Sequence, residues 1–308
     1  MSEEKNILYQ KIGVTISNLA LNLLSKNVGD RIWPISQYQE EFGVSRGTMQ
    51  NAFRYLEEKG AVVLERHGYQ GTYIKDLNHT KLQENCLLQQ ILGIMPLPYS
   101  RTYEGFATAI YEQLSKVHFN MAYARGAVGR IHLVEAGTYQ FAVVSQYAAE
   151  QAIKNECNIE IVLNFGEGSF LSKHVLVLAD PEKKGIRDGM RVAYDSESID
   201  QSGLTRNLVK GKKVELVEIR TQNTLHALKS RRIDAGIWNM DDIIDNKRQE
   251  FHIREIEDTI YSQPFSTAVI VIKKEDRYMK ELLKKSIRVD AVQKILEEVR
   301  NGIRTADY

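Results

Sequence analysis

Cysteine is nearly missing: Cys86 and Cys157 are the two in 308 residues. A small secreted scaffold stapled by disulfides needs more pairs, so that class is excluded and the two read as thiols in a reducing compartment. Proline is also sparse, at five residues, and 43% of the chain is hydrophobic against 26% charged, which excludes a disordered chain. The net charge of +1 rules out a strongly basic tail and leaves bulk electrostatics silent about partners. No apolar run reaches the length of a membrane span. The first ten residues hold no signal-peptide core. A cytoplasmic protein with no membrane partner is therefore expected. The seven histidines stand apart from any HxH or HExxH spacing, no serine sits in GxSxG, and Gly211-Lys212-Lys213 is not a phosphate loop. No metal, cofactor or catalytic residue is expected, and the chain is not read as an enzyme.

What is there begins with helical periodicity. Ile12, Ile16, Leu19 and Leu23 recur at helix spacing, with Gly29-Asp30 as the expected stop. Ser36 is the N-cap candidate of a second helix carrying Tyr38 and Phe42 and ending at Gly43. Ser45 caps a third, from Arg46 to Lys59, with Met49, Ala52, Phe53 and Leu56 on its inner face and Gly60 just beyond. Two strands, Ala61–Glu65 and Thr72–Ile74, flank a glycine-bearing turn, His67-Gly68-Tyr69-Gln70-Gly71. Three helices and a hairpin make a winged helix-turn-helix.

This stretch resembles the GntR family of regulators. The resemblance rests on Gly43-Val44-Ser45-Arg46, Thr48, Ala52-Phe53-Arg54-Tyr55-Leu56-Glu57, Gly60 and the wing ending Gly71-Thr72-Tyr73. It implies binding of a double-stranded DNA operator. Ser45, Arg46 and Thr48 would meet bases and phosphates from the third helix, and His67, Gly68 and Tyr69 would touch the minor groove from the wing. No acid occurs from Ser45 to Leu56, and Arg54 adds a second cation. The chain departs from the family at two places where an arginine is usual, occupied here by Ser36 and Gln50. Residues 1–76 carry nine basic and nine acidic side chains. One such domain should bind non-specific DNA weakly, which favours a homodimer on two half-sites. A winged helix that binds protein instead is the alternative.

Residues 77–90 form the expected linker helix, in which Leu82, Cys86 and Leu87 recur at helical spacing; it either packs on its own domain or pairs two chains. From residue 91 the pattern turns to alternating strands and helices. Residues 91–308 are read as a two-lobed α/β domain, lobe I from about 91–174 and 264–308 and lobe II from about 175–263. The fold class is thus an α+β winged helix followed by a pair of α/β lobes. The phrases Gly137–Ser145 and Arg231–Trp238 resemble the helix-then-strand repeat of type 2 periplasmic binding proteins, a fold that LysR-type regulators also use as a cytosolic effector domain. The combination resembles the YhfZ-type family of regulators. The UTRA effector domain is an alternative fold.

In open α/β sheets ligands bind beyond the carboxyl ends of the strands. Ser100, Arg101, Thr102, Ser145, Gly168, Ser169, Ser196, Ser198 and Asn239 fall at those ends, several at helix starts whose free N–H groups suit an anion. A small anionic effector bound there is the expectation, with Arg101 as its clamp. Each hydroxyl could equally cap its helix for stability alone. Gly126 and Gly129, near Arg125 and Arg130, could line a phosphate site but lack the spacing of a nucleotide loop. The rival function is an enzyme using the two lobes on a small anionic substrate, with the winged helix as an accessory.

Overall fold

A computed structural model of the chain describes residues 11–87, 90–247, 250–257 and 263–308. They divide into two compact units. The first takes in the described residues of 11–92, with 113–120 and 276–286, and the second takes in those of 93–112, 121–275 and 287–308. No helix among the described residues is long and apolar enough to cross a membrane.

In the first unit α1 (Lys11–Leu24), α2 (Ile35–Phe42) and α3 (Arg46–Glu58) pack around Leu19, Leu23, Tyr38, Met49 and Leu56, all fully buried. Tyr38 is the hub. Its ring lies 5.3 Å from Phe53 and 5.1 Å from Trp33, and its hydroxyl donates to Asn22 Oδ1 at 3.0 Å. A buried phenol needs such a partner, since leaving it unsatisfied costs about 1–3 kcal/mol. Gly43 takes φ 62° and ψ 39° after α2, the left-handed corner that turns the chain into α3 and that a Cβ would penalise. Helix α2 begins one residue before Ser36, behind Pro34, whose fixed φ suits the entry; Ser36 is an exposed first-turn residue rather than the cap. Helix α1 stops at Leu24, before Gly29-Asp30. Residues 29–32 leave the helix to pair with the wing, Gly29 N–H donating to Ile74 O and Ile32 N–H to Thr72 O.

The wing is β1 (Val62–Arg66) and β2 (Thr72–Leu77), antiparallel, with a tight turn at Gly68–Gln70. Helix α4 (His79–Glu84) is shorter than the expected linker helix. Its Leu82 and the following Cys86 are buried in their own unit beside α1, with the Leu87 N–H donating to Ser17 Oγ at 2.8 Å. Two distant segments complete this unit. Gln83 pairs through both ends of its amide with the backbone of His118. Helix α11, Arg277–Ser286, places Tyr278 edge-on to Phe42, Glu281 against Ser25 and Lys26, and Lys285 against Asp30.

The remaining elements build two five-stranded sheets. Lobe I contains β3 (Ile91–Met95), α5 (Arg101–Gln113), β4 (Phe119–Tyr123), α6 (Ala127–Glu135), β5 (Phe141–Ser145), α7 (Gln146–Lys154), β6 (Ile159–Asn164), β12 (Ala268–Lys273) and α12 (Val289–Arg300). Lobe II contains β7 (His174–Leu178), β8 (Arg191–Tyr194), α8 (Ile199–Val209), β9 (Glu215–Glu218), α9 (Thr224–Lys229), β10 (Ala235–Asn239), α10 (Met240–Asp245) and β11 (His252–Glu255). The sheet orders are β4-β3-β5-β12-β6 and β11-β7-β10-β8-β9. Both follow one plan: a parallel run, then one strand inserted antiparallel, β12 in lobe I and β7 in lobe II. The central strands β5, β7 and β10 are buried along their whole length, as helices on both faces require, so they read as unbroken apolar runs. Lobe II is inserted in chain order between β6 and β12, so the chain crosses between the lobes twice, once into β7 and once into β12.

Candidate functional site

Two surfaces carry chemistry. On the first unit, Ser45 caps α3 by accepting the Thr48 N–H at 3.2 Å, and the two hydroxyls share a 2.9 Å hydrogen bond. The apolar side of α3 turns inward, so Arg46, Gly47, Gln50, Asn51 and Arg54 form one exposed stripe. Among the described residues neither Arg46 nor Arg54 is in an ion pair, whereas Arg66 is tied to Glu57 at 2.9 Å. Both cations are therefore open to phosphates or bases. Thr48 is half-buried beneath the stripe. At the wing tip His67, Gly68 and Tyr69 are exposed, Tyr69 fully so, while His67 rests edge-on to Tyr73 at 5.5 Å. Ser36 lies exposed on α2. Gly47 and Asn51 were not singled out from the sequence. Asn51 was legible, since asparagine pairs with adenine edges and lies one residue beyond Gln50.

The second surface is the junction of the two lobes. Ser100 opens α5, its Oγ accepting the Tyr103 N–H at 3.4 Å. The Arg101 guanidinium does not face lobe II; it lies beside Gly302, after α12 of its own lobe. It is the Arg101 backbone N–H that reaches across, donating to Asp245 Oδ2 at 2.8 Å. A residue at the first turn of a helix offers its N–H along the axis and its side chain outward, which explains the reversal. Thr102 donates to Asp241 Oδ2 at 2.9 Å and accepts from Arg300 at 3.1 Å. The same Asp241 oxygen accepts the Ser172 N–H at 3.0 Å, and Arg300 also donates to Gly168 O at 2.7 Å.

Ser145 ends β5 and caps α7, and its hydroxyl donates to Asp200 Oδ1 at 2.5 Å across the junction. Asp200 is buried, and burial raises its carboxyl to about 6 against the pull of Ser145 and Arg130. Arg130 is itself buried, lowered to about 10 by desolvation, and donates to Val143 O at 3.2 Å and Ala124 O at 2.7 Å. Burial likewise raises the phenols of Tyr99 and Tyr103 near it. Arg125 approaches the buried Asp195 at 3.9 Å, and a Cβ on Gly126 would come within 3.0 Å of Glu197 O, so the lobes meet backbone to backbone there. Tyr147 of α7 stacks on Phe265 at 4.0 Å, its hydroxyl lying where Gly203 leaves room.

Of the other expected ligand residues, Ser169 donates to Gly166 O and accepts the Ala268 N–H at 2.9 Å, while Ser196 is exposed and bonded to Glu218. Ser198 precedes α8 without a side-chain cap. Asn239 caps α10, accepting the Asp241 N–H at 2.8 Å, and its buried amide faces the Tyr99 phenol. Sequence reasoning passed over Tyr99, Asp200, Asp241 and Asp245. Arg130 carried a signal: it falls on the stripe Ala127, Arg130, Ile131, Val134, where a cation on a buried helix face needs a reason.

A helix-turn-helix joined to two α/β lobes of this strand order defines the class. A helix-turn-helix domain model matches residues 27–74, and the YhfZ C-terminal domain model matches residues 78–308. The chain belongs to that YhfZ family. It is 29% identical to the YhfZ protein of Escherichia coli strain K12 over 97% of this chain and 98% of that one. The crystal structure of YhfZ from Shigella flexneri superposes with TM-score 0.62 at 27% identity, covering 73% of this chain and 96% of that one. The periplasmic aliphatic sulphonate binding protein SsuA from Escherichia coli superposes with TM-score 0.52 at 11% identity, covering 70% and 75%. At that identity the likeness is one of fold: the lobes have the periplasmic-binding-protein architecture.

Proposed function

We propose that this chain is a cytoplasmic transcriptional regulator, with a GntR-type winged helix that reads an operator and a two-lobed domain that answers to a small anionic metabolite. The observation that carries the reading is the acid-free exposed stripe of α3, with Arg46 and Arg54 in no ion pair among the described residues and Tyr69 exposed at the wing tip. Groove recognition needs such a face, in which cations hold phosphates while short polar side chains reach base edges. The effector reading is supported by the starts of α5 and α7, which bring Ser100, Thr102 and Ser145 to the lobe junction close to Arg130. The GntR assignment rests on the run from Gly43 to Gly60 and the wing. Balanced charge on the winged helix calls for two half-sites, hence a homodimer.

The test uses DNA selected from a random pool by the full chain. Arg46→Ala is expected to weaken binding by about 1–3 kcal/mol and to relax preference at one base position. Unchanged affinity would remove Arg46 from the interface. Sedimentation at micromolar concentration is expected to give a dimer; a monomer that still binds its operator tightly would refute the pairing.

A further inference from the structure

The exposed stripe of α3 is laid out in two rows. Arg46, Gln50 and Arg54 stand four residues apart on successive turns, and Gly47 and Asn51 form the row beside them. At Gly47 nothing lies within 4 Å of where a Cβ would stand, so a partner can come against the helix backbone at that point. One turn further on lie the amides of Gln50 and Asn51. Among the described residues neither amide makes a hydrogen bond within the protein, whereas the hydroxyls of Ser45 and Thr48 are engaged with each other and with the helix cap.

The edges of the base pairs decide what such a face can read. In the major groove cytosine presents an amino group, which calls for a carboxylate acceptor, and no acid occurs from Ser45 to Leu56. Thymine presents a methyl group, which calls for an apolar neighbour, and none of the five stripe residues supplies one. Guanine presents two acceptors that match a guanidinium. Adenine presents the N7 acceptor beside the N6 amino donor, and a primary amide matches both, its N–H donating to N7 and its carbonyl accepting from N6. An amide set against guanine leaves its carbonyl without a donor in the interface, which is unfavourable once water is excluded.

We infer that the middle of α3 selects adenine: Gln50 and Asn51 each take the N7 and N6 edge of one adenine, so that the operator carries two adjacent A·T pairs between the places met by Arg46 and Arg54. This rests on the DNA-binding reading above and adds which bases that surface chooses. Consecutive helical residues point about 100° apart, so the two amides address neighbouring base pairs rather than the same one.

The experiment starts from DNA selected out of a random pool by the full chain. Each adenine of the selected site is replaced in turn by 7-deazaadenine, which keeps the pairing and the amino group but lacks N7. Binding is expected to weaken about tenfold at two adjacent positions. Gln50→Ala and Asn51→Ala are each expected to abolish that sensitivity at one of the two positions, with the salt dependence of binding unchanged, because an amide carries no charge. Both side chains are exposed, so both variants should melt with the natural chain. A selected site without adjacent A·T pairs, or one indifferent to 7-deazaadenine, would overturn the inference. So would variants that lose affinity equally for every sequence, since the amides would then be holding the backbone. A pool that yields no enriched sequence would instead overturn the DNA-binding reading, and the choice of adenine with it.

Discussion

Replacing Asp200 with asparagine tests the electrostatics of the lobe junction. The carboxyl is raised from its ordinary 3.8 to about 6, chiefly because burial disfavours the charge, and that value already includes the opposing pull of Ser145 and Arg130. Between about pH 4 and pH 6 the folded chain keeps the proton that the unfolded chain has lost. Stability therefore falls as pH rises through that window, then levels off, with a total cost of about 3 kcal/mol at neutral pH. Asparagine mimics the protonated acid and removes that cost. Its added N–H group needs an acceptor and returns about 1 kcal/mol of penalty. The variant should thus be about 1 kcal/mol less stable than the natural chain at pH 4 and about 2 kcal/mol more stable at pH 7.5. For a unit of this size the latter is a rise of roughly 4–8 °C in Tm. Thermal melts of both chains across that pH range read the difference, in which the other titrating groups cancel. An offset that does not change with pH, or a variant still below the natural chain at pH 7.5, would refute the argument.

Gly47 has no atom within 4 Å of where a Cβ would stand, so the fold itself does not need glycine there. Gly47→Ala should leave the protein up to about 0.5 kcal/mol more stable in denaturant titration, since alanine favours helix. It should nevertheless weaken operator binding severalfold in anisotropy if the start of α3 lies against the DNA backbone; unchanged binding would show that it does not. Arg101→Ala should change the unfolding free energy by less than about 1 kcal/mol and leave binding of inorganic phosphate, sulfate or succinate unchanged, because its guanidinium lies beside Gly302 and only its N–H faces lobe II. A lost ligand response in that variant would reinstate Arg101 as the clamp.

The sequence by itself determined the local elements. The cap at Ser45, the left-handed corner at Gly43, the buried face of α3 and the alternation of strands and helices from β3 to β10 all follow from residues within a few positions of one another, where periodicity and capping act. It also marked Ser100, Ser145 and Asn239 as capping residues, and each does cap a helix. Only the tertiary structure decided what those caps meet. Strand β11 was not legible, because a four-residue edge strand with charged ends has no period to read and exists by pairing with β7. The joining of Arg277–Ser286 and Gln113–Asn120 to the winged-helix unit depends on contacts such as Glu281 with Ser25 and Gln83 with His118, separated by tens to hundreds of residues. Asp200, Asp241 and Asp245 looked like ordinary first-turn or surface acids. Their importance comes from lying opposite Ser145, Thr102 and Arg101 once the two sheets have formed, and a sequence read in one dimension carries no record of what a donor faces.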